Sequence, residues 1–197
     1  MKTVFLRGDD FYLSPLTKEH LSQEYINWLN DSEVCKDNSH ATFPNTEAKT
    51  LAYIEGTSDI AFAIIWDKQA DPDTHIGNIA LQKINWINRS AEISILIGNK
   101  DYWGKGIGTK AYSLLIDYAF QTLNLNRLVS SQTIRNKGMI KVCEKAGMTK
   151  EGVMRKALYK NGEYLDCVMF SMVRGTSTEH KILYEDFITS NGVEHET

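Results

Sequence analysis

The sequence predicts a mixed α/β protein built on one sheet, and three observations lead there. The apolar runs IAFAIIWD (60–67), HIGNIALQKIN (75–85) and SAEISILIG (90–98) follow one another with only short turns between them, as strands of a meander do. Helical spacing of apolar residues brackets them, upstream in TKEHLSQEYINWLN and downstream in TKAYSLLIDYAF. Near the end, EGVMRKALYK and EYLDCVMFSMV flank Asn161-Gly162, a pair that favours a two-residue hairpin turn because both residues tolerate positive φ. With 197 residues, 42% apolar and 10% aromatic, the chain holds enough material for one core, and we expect a single domain over residues 1–175 with a tail over 176–197.

In chain order, Phe11 to Leu16 reads as the first strand. Thr17 then caps a helix through Asn30, with Leu21, Tyr25, Trp28 and Leu29 as its apolar stripe. After Pro44, TEAKTLAYIEG reads as a second helix ending at Gly56. The hairpin that follows turns at DPDT (71–74). In the strand after it, Ala91, Ile93, Ile95 and Ile97 share one face, while Glu92, Ser94 and Leu96 share the other. Next come a helix from about Thr109 to Leu123, a strand RLVSSQTI, and a short helix from Asn136 to Ala146 closed by Gly147. HKILYEDFI in the tail is a candidate helix between the loose stretches GTST and NGVEHET. No internal repeat or Pro/Ser-rich linker interrupts this order.

Composition narrows the function. No apolar run approaches the roughly 20 residues that span a bilayer, and MKTVFLRGDD turns acidic before a signal-type stretch can form, so we expect a cytoplasmic protein. Cys35, Cys143 and Cys167 are an odd, widely spaced set without a CxxC pair, and the five histidines are scattered; neither a disulfide framework nor a metal site is expected. The net charge of -3 conceals an asymmetry: residues 101–160 carry eleven Lys/Arg against four Asp/Glu. A basic segment within an acidic chain suggests a locally held anion, and ordinary surface charge is the equal alternative. Nucleic-acid binding has little support.

The basic segment opens on DYWGKGIGTKAYSLLIDYAF, where Gly104, Gly106 and Gly108 alternate just before a helix. Glycine permits positive φ and close approach to the main chain, and a helix start presents unpaired N–H groups at a positive dipole end. A strand, a glycine loop and a helix in sequence therefore form a phosphate cradle. The Walker pattern fails for want of a Gly-Lys-Ser/Thr triplet. Gly106, Gly108 and Ala111 satisfy the dinucleotide fingerprint, yet no Asp or Glu lies between Asp117 and Glu144 to bind a ribose.

The longer text fits a third cradle. INRSAEISILIGNKDYWGKGIGTKA, the NKGMIKVCEKAGM helix and EKAGMTKEGVMRKALYKNGEYLDCVMFSMV together resemble motifs A and B of the GCN5-related N-acetyltransferase (GNAT) superfamily and its Rim-type branch, over about residues 10–173. The resemblance implies a central, mostly antiparallel, splayed sheet with flanking helices, and acetyl-CoA as co-substrate with no metal. It assigns the cofactor's pyrophosphate to the main chain of Trp103, Gly104, Lys105, Gly106, Ile107, Gly108 and Thr109, with Trp103 standing where the family usually has Gln or Arg. It assigns the pantetheine arm to Ile95, Leu96 and Ile97 and to Asn136, and makes Lys141 a phosphate contact or else a solvated helix lysine.

For the chemistry, the resemblance makes Glu92 the candidate base, acting through a water that Ser94 helps to hold; the structural alternative is a carboxylate paired with Arg89 or another arginine. Cys143 occupies the position where many relatives carry a tyrosine acid. A thiol can protonate a departing thiolate, and packing is the other reading. Trp28, Trp86, Tyr164 and Asp166 are the candidate acceptor contacts, with burial in the core the alternative for each tryptophan. Arg155 and the hairpin Tyr159 to Tyr164 are a candidate dimer edge. The expected function is acetyl transfer to a primary amine: a protein N-terminus, a polyamine, an amino sugar or its nucleotide, or an aminoglycoside. A non-catalytic acyl-CoA sensor on the same fold and a dinucleotide-dependent oxidoreductase are the competing classes.

Overall fold

The computed structural model describes residues 3–56, 58–67 and 73–175. Eight strands form one sheet in the order β1-β2-β3-β4-β5-β6-β8-β7. They are β1 (Leu6–Arg7), β2 (Phe11–Pro15), β3 (Ile60–Trp66), β4 (Thr74–Asn85), β5 (Ser90–Ile97), β6 (Arg127–Thr133), β7 (Thr149–Lys160) and β8 (Glu163–Val173). Among the described residues four α-helices accompany them: α1 (Gln23–Asn30), α2 (Glu47–Gly56), α3 (Ile107–Gln121) and α4 (Lys137–Lys145). Every neighbouring pair is antiparallel except β5 and β6, which are parallel. The sheet is thus the mixed, mostly antiparallel one expected, with the two-residue β1 added at its edge.

Alternation sorts β4 and β5 into two faces. Ile79, Leu81, Ala91 and Ile93 are buried against Ile107, Ala111, Leu115, Ile116 and Ala119 of α3 in the main core. Each such side chain removed from water contributes roughly 1.5–3 kcal/mol. On the opposite face Leu96 packs with Tyr25, Trp28 and Leu29 of α1. Two glycines make these approaches possible. A β-carbon on Gly77 would lie 2.2 Å from the main-chain oxygen of Leu96, and one on Gly98 would lie 2.0 Å from the Trp28 ring.

Local chemistry sets most of the boundaries. Asn136 caps α4 by accepting from the Met139 N–H at 3.1 Å, and Gly147 follows the helix at φ 83°. Asn161 and Gly162 turn β7 into β8 with φ of 50° and 86°. Two expectations shift. The helix placed over 17–30 is divided: the Thr17 N–H donates to His20 Nδ1, closing a single 3-10 turn, Leu21 is extended, and Ser22 caps α1 by accepting from the Tyr25 N–H. The third helix begins at Ile107, not Thr109, because Gly106, at φ 78°, serves as its N-cap. Asp71 and Pro72 of the DPDT turn and the tail helix expected in HKILYEDFI lie outside the described residues. Among the described residues no helix is long and apolar enough to cross a membrane.

Candidate active site at the divided sheet

The parallel pair is where the sheet opens. β5 and β6 match only over Ser90–Arg127, Ala91–Leu128 and Glu92–Val129. Beyond Glu92, β5 continues beside β4 to Ile97, and β6 continues beside β8 to Thr133. The two strands therefore diverge. Gly98 donates to the Ile76 oxygen and the Ile93 oxygen accepts from Ser130 Oγ at 3.2 Å, which fixes the sense of the alternation. Even-numbered β5 residues direct their main-chain groups to β4, and Ile93, Ile95 and Ile97 direct theirs into the gap.

A cleft of about 690 Å³ opens there, within the range of small-molecule sites. Its wall includes Glu92, Ser94, Ile95 and Leu96 from β5, Ser130 to Thr133 from β6, and Asn136 and Met139 at the start of α4. Tyr25 and Leu29 of α1, Tyr53 of α2 and the loop residues Asp37 to His40 close the other side. Of the residues singled out from sequence, Glu92, Ile95, Leu96 and Asn136 thus meet at one place.

The glycine loop stands at the C-terminal end of the same strand. Gly104 and Gly106 both have positive φ, 74° and 78°, which a side chain would strain. Nothing lies within 4 Å of a β-carbon built on either, so the main chain there is open to approach. Gly108, already helical, meets only Val142 at an ordinary 3.7 Å. The first bond of α3 runs from the Lys110 N–H to the Gly106 oxygen, so the N–H groups of Ile107, Gly108 and Thr109 precede the helical ladder at its positive end. Lys105 Nζ lies 5.0 Å above the Tyr102 ring, and the Trp103 indole N–H donates to the Ile97 oxygen at 2.8 Å. Lys141 is exposed on α4.

Glu92 has a partner that the sequence did not suggest. Lys83 Nζ donates to its Oε2 at 2.7 Å, and this carboxylate raises the Lys83 pKa above its ordinary value. Lys83 reaches it because a bulge at Gln82/Asn85 puts Lys83 at φ 50°; no local sequence signal marks that bulge, and the expected partner was an arginine. Ser94 Oγ donates to Gln82 Oε1 at 3.0 Å, and Gln82 in turn donates to Asp59. Glu92, Ser94 and Gln82 so form one polar strip along the cleft wall.

Cys143 is fully buried, and burial pushes its thiol pKa up, while hydrogen bonds to Ser130 and Tyr112 act the other way. Behind the gap, Tyr112 Oη and Ser130 Oγ lie 2.7 Å apart, both within reach of the Ile93 oxygen, and Gln132 donates to Ser130. Sequence reading passed over Tyr112, Ser130 and Gln132, whose small or helical contexts give no sign that they gather.

The candidate acceptor contacts separate. Trp28 is buried beside Gly98 and His75, backing the cleft without lining it. Trp86 stands on the β4–β5 turn, 59% exposed and away from the lining residues. Tyr164, also exposed, lies tilted against Tyr159 with ring centroids 4.9 Å apart, and Asp166 accepts from the Lys156 N–H at 2.7 Å. Neither reaches the cleft wall. Among the described residues no group of three or more His, Cys, Asp or Glu is placed to hold a metal ion.

Known proteins are similar to this chain in sequence and in fold. The acetyltransferase (GNAT) domain family matches residues 10–149. The chain is 40% identical over 98 residues to "Putative ribosomal N-acetyltransferase YdaF" of Bacillus subtilis, covering 50% of this chain and 53% of that protein. It is 29% identical over 160 residues to spermidine N(1)-acetyltransferase of Escherichia coli, covering 79% and 82% of the two chains. The match spans little more than half the length of the first curated relatives, 53% and 58%. Spermidine N-acetyltransferase from Vibrio cholerae, solved with CoA and spermine, superposes with a TM-score of 0.75 over 85% of this chain and 97% of that one; at 23% identity this is a likeness of fold. The family match covers more than half of the sequence and includes the divided strands and the glycine loop, so the chain belongs to the GNAT acetyltransferases.

Proposed function

We propose that the protein transfers an acetyl group from acetyl-CoA to a primary amine by direct attack within a ternary complex. The observation that carries this reading is the parting of β5 from β6 after Glu92, which leaves the main-chain groups of Ile95 and Ile97 facing a gap that ends at the glycine loop. An extended amide-bearing arm meets such groups as a further strand would, and its phosphates suit the N–H groups of Ile107 to Thr109. Acetyl-CoA supplies the acetyl group as a thioester.

The chain's own residues supply the rest. Glu92, on the cleft wall, takes the proton that the amine must lose to become nucleophilic, directly or through a water held at Ser94. An N–H of the β5 edge donates to the carbonyl oxygen as negative charge develops there. The N–C bond forms, the C–S bond breaks, and the departing thiolate takes a proton from solvent or from Cys143. Burial with the raised pKa keeps that thiol protonated, which suits both a donor and a packing group. Holding both reactants in one cleft supplies a further large share of the acceleration.

The acceptor belongs to one of four classes: protein N-terminus, polyamine, amino sugar or its nucleotide, or aminoglycoside. The proposed setting is cytoplasmic, where the three unbridged cysteines remain thiols. A homodimer along the β7–β8 hairpin is supported by the exposed Val153, Met154, Tyr159 and Tyr164. The deciding experiment measures CoA thiol release from acetyl-CoA across a panel of these amines. Amine-dependent release confirms acetyl transfer; acetyl-CoA binding without release on any amine rejects it in favour of a sensor.

A further inference from the structure

Asn78 lies on β4 directly opposite Leu96, on the sheet face that carries Glu92 and Ser94, and it lines the cleft. Its side-chain Nδ2 is buried and has no hydrogen-bond partner among the described residues. The orientation of this amide is chemically determined. His75 Nε2 lies 3.0 Å from both the Gly77 main-chain oxygen and Asn78 Oδ1. A carbonyl only accepts, so Nε2 carries the hydrogen, and the end of Asn78 that meets it must be the oxygen. The donor end is left over, buried within a residue of the cleft wall. His75 is itself fixed, its ring packed against Trp28 at 5.1 Å and against Tyr25 and His20 at 5.6 Å.

Charge adds an independent constraint. Among the described residues, the Lys, Arg, Asp and Glu side chains on the cleft wall are Asp37, Lys49, Lys83 and Glu92, two of each sign, and Glu92 already accepts from Lys83. A polycation finds no surplus of carboxylates among these described residues. Its ammonium groups are donors only, so they cannot meet Asn78 Nδ2 either. A buried donor left unpaired is costly, and a ligand oxygen that reaches it gains accordingly.

We propose that Asn78 determines acceptor specificity: its Nδ2 donates to a carbonyl or hydroxyl oxygen of the substrate, making the acceptor an oxygen-bearing primary amine, a peptide α-amine or an amino sugar, and not a polyamine. This rests on the acetyl-transfer reading above and narrows it. The substitution Asn78→Asp keeps an oxygen for His75 and replaces the free donor with an acceptor.

The test compares a serine-starting peptide, glucosamine and spermidine as acceptors for the wild type and N78D, with acetyl-CoA affinity measured by calorimetry. The wild type is expected to favour the peptide or glucosamine over spermidine by about tenfold or more in kcat/KM, and whichever of the two is used identifies the source of the oxygen. N78D is expected to lower kcat/KM on that acceptor by about tenfold or more, chiefly through KM, and to leave the acetyl-CoA Kd unchanged. Should N78D not fold, Asn78→Ala is expected to give the same loss on the oxygen-bearing amine and none on spermidine. A wild-type preference for spermidine, or an unchanged KM in the folded variant, overturns the assignment of Asn78 alone. Turnover of no amine at all overturns it together with the acetyl-transfer reading.

Discussion

The indole N–H of Trp103 donates to the main-chain oxygen of Ile97 at 2.8 Å, tying the glycine loop to the free edge of β5. The bond joins the two surfaces that the proposed cofactor must touch together.

Trp103→Phe keeps the ring and removes the donor. A bond of this kind contributes about 1 kcal/mol, so acetyl-CoA affinity should weaken by about fivefold as the loop loses its anchor. Titration calorimetry reads this directly, and an unchanged Kd would show that the tether plays no part in binding.

Glu92→Gln conserves shape and removes the basic oxygen. On whichever amine is accepted, kcat should fall by about 10²-fold or more while acetyl-CoA affinity stays within about twofold. Lys83→Met breaks only the ion pair at Glu92; an exposed pair is worth at most about 1 kcal/mol, so a much smaller effect is expected. Equal losses in the two variants would assign Glu92 a structural role.

Burial drives the His75 pKa from 6.5 down to about 4. Between these values the unfolded chain binds a proton that the folded chain refuses, so stability is full above about pH 6.5 and falls as pH drops towards 4. His20 lies beside it, and its charge acts in the same direction. The contribution is on the order of 2 kcal/mol. Urea denaturation at steps between pH 7 and pH 4 should show a steeper loss for the wild type than for His75→Gln; parallel curves would contradict the assignment.

Gly98→Ala would bring a β-carbon to 2.0 Å from the Trp28 ring, which is packed in turn on His75. Over-packing of this kind costs about 1–3 kcal/mol. A lowered thermal midpoint is expected, and a neutral result would mean that α1 shifts freely on the sheet.

What could be read from the sequence was local. Asn136 as a cap, Gly147 behind its helix and Asn161-Gly162 at the hairpin each carry their signal within a few residues, and the alternation in SAEISILIG announced both faces of β5. The split of α1 from the turn before it was harder, because Thr17 and Ser22 are both good caps and only the extended Leu21 decides between them. Lys83 reached Glu92 through a bulge, and Asn78 acquired its orientation from His75 and the Gly77 carbonyl. Such relationships arise when strands are brought side by side, and residue order alone does not contain them. Trp86 illustrates the converse: a large aromatic in a suggestive motif stands on an exposed turn.

The parting of β5 from β6 also has a signature in isotope exchange. Ile95 and Ile97 sit in the middle of the molecule, yet they lie beyond the last residue that β6 pairs with β5. Their amide protons should be replaced by deuterium well before those of Ala91 or Leu81, although all four belong to the same pleated layer. A fast-exchanging spot flanked by slow ones would then mark the seam, and its slowing on addition of acetyl-CoA would time the arrival of a guest strand.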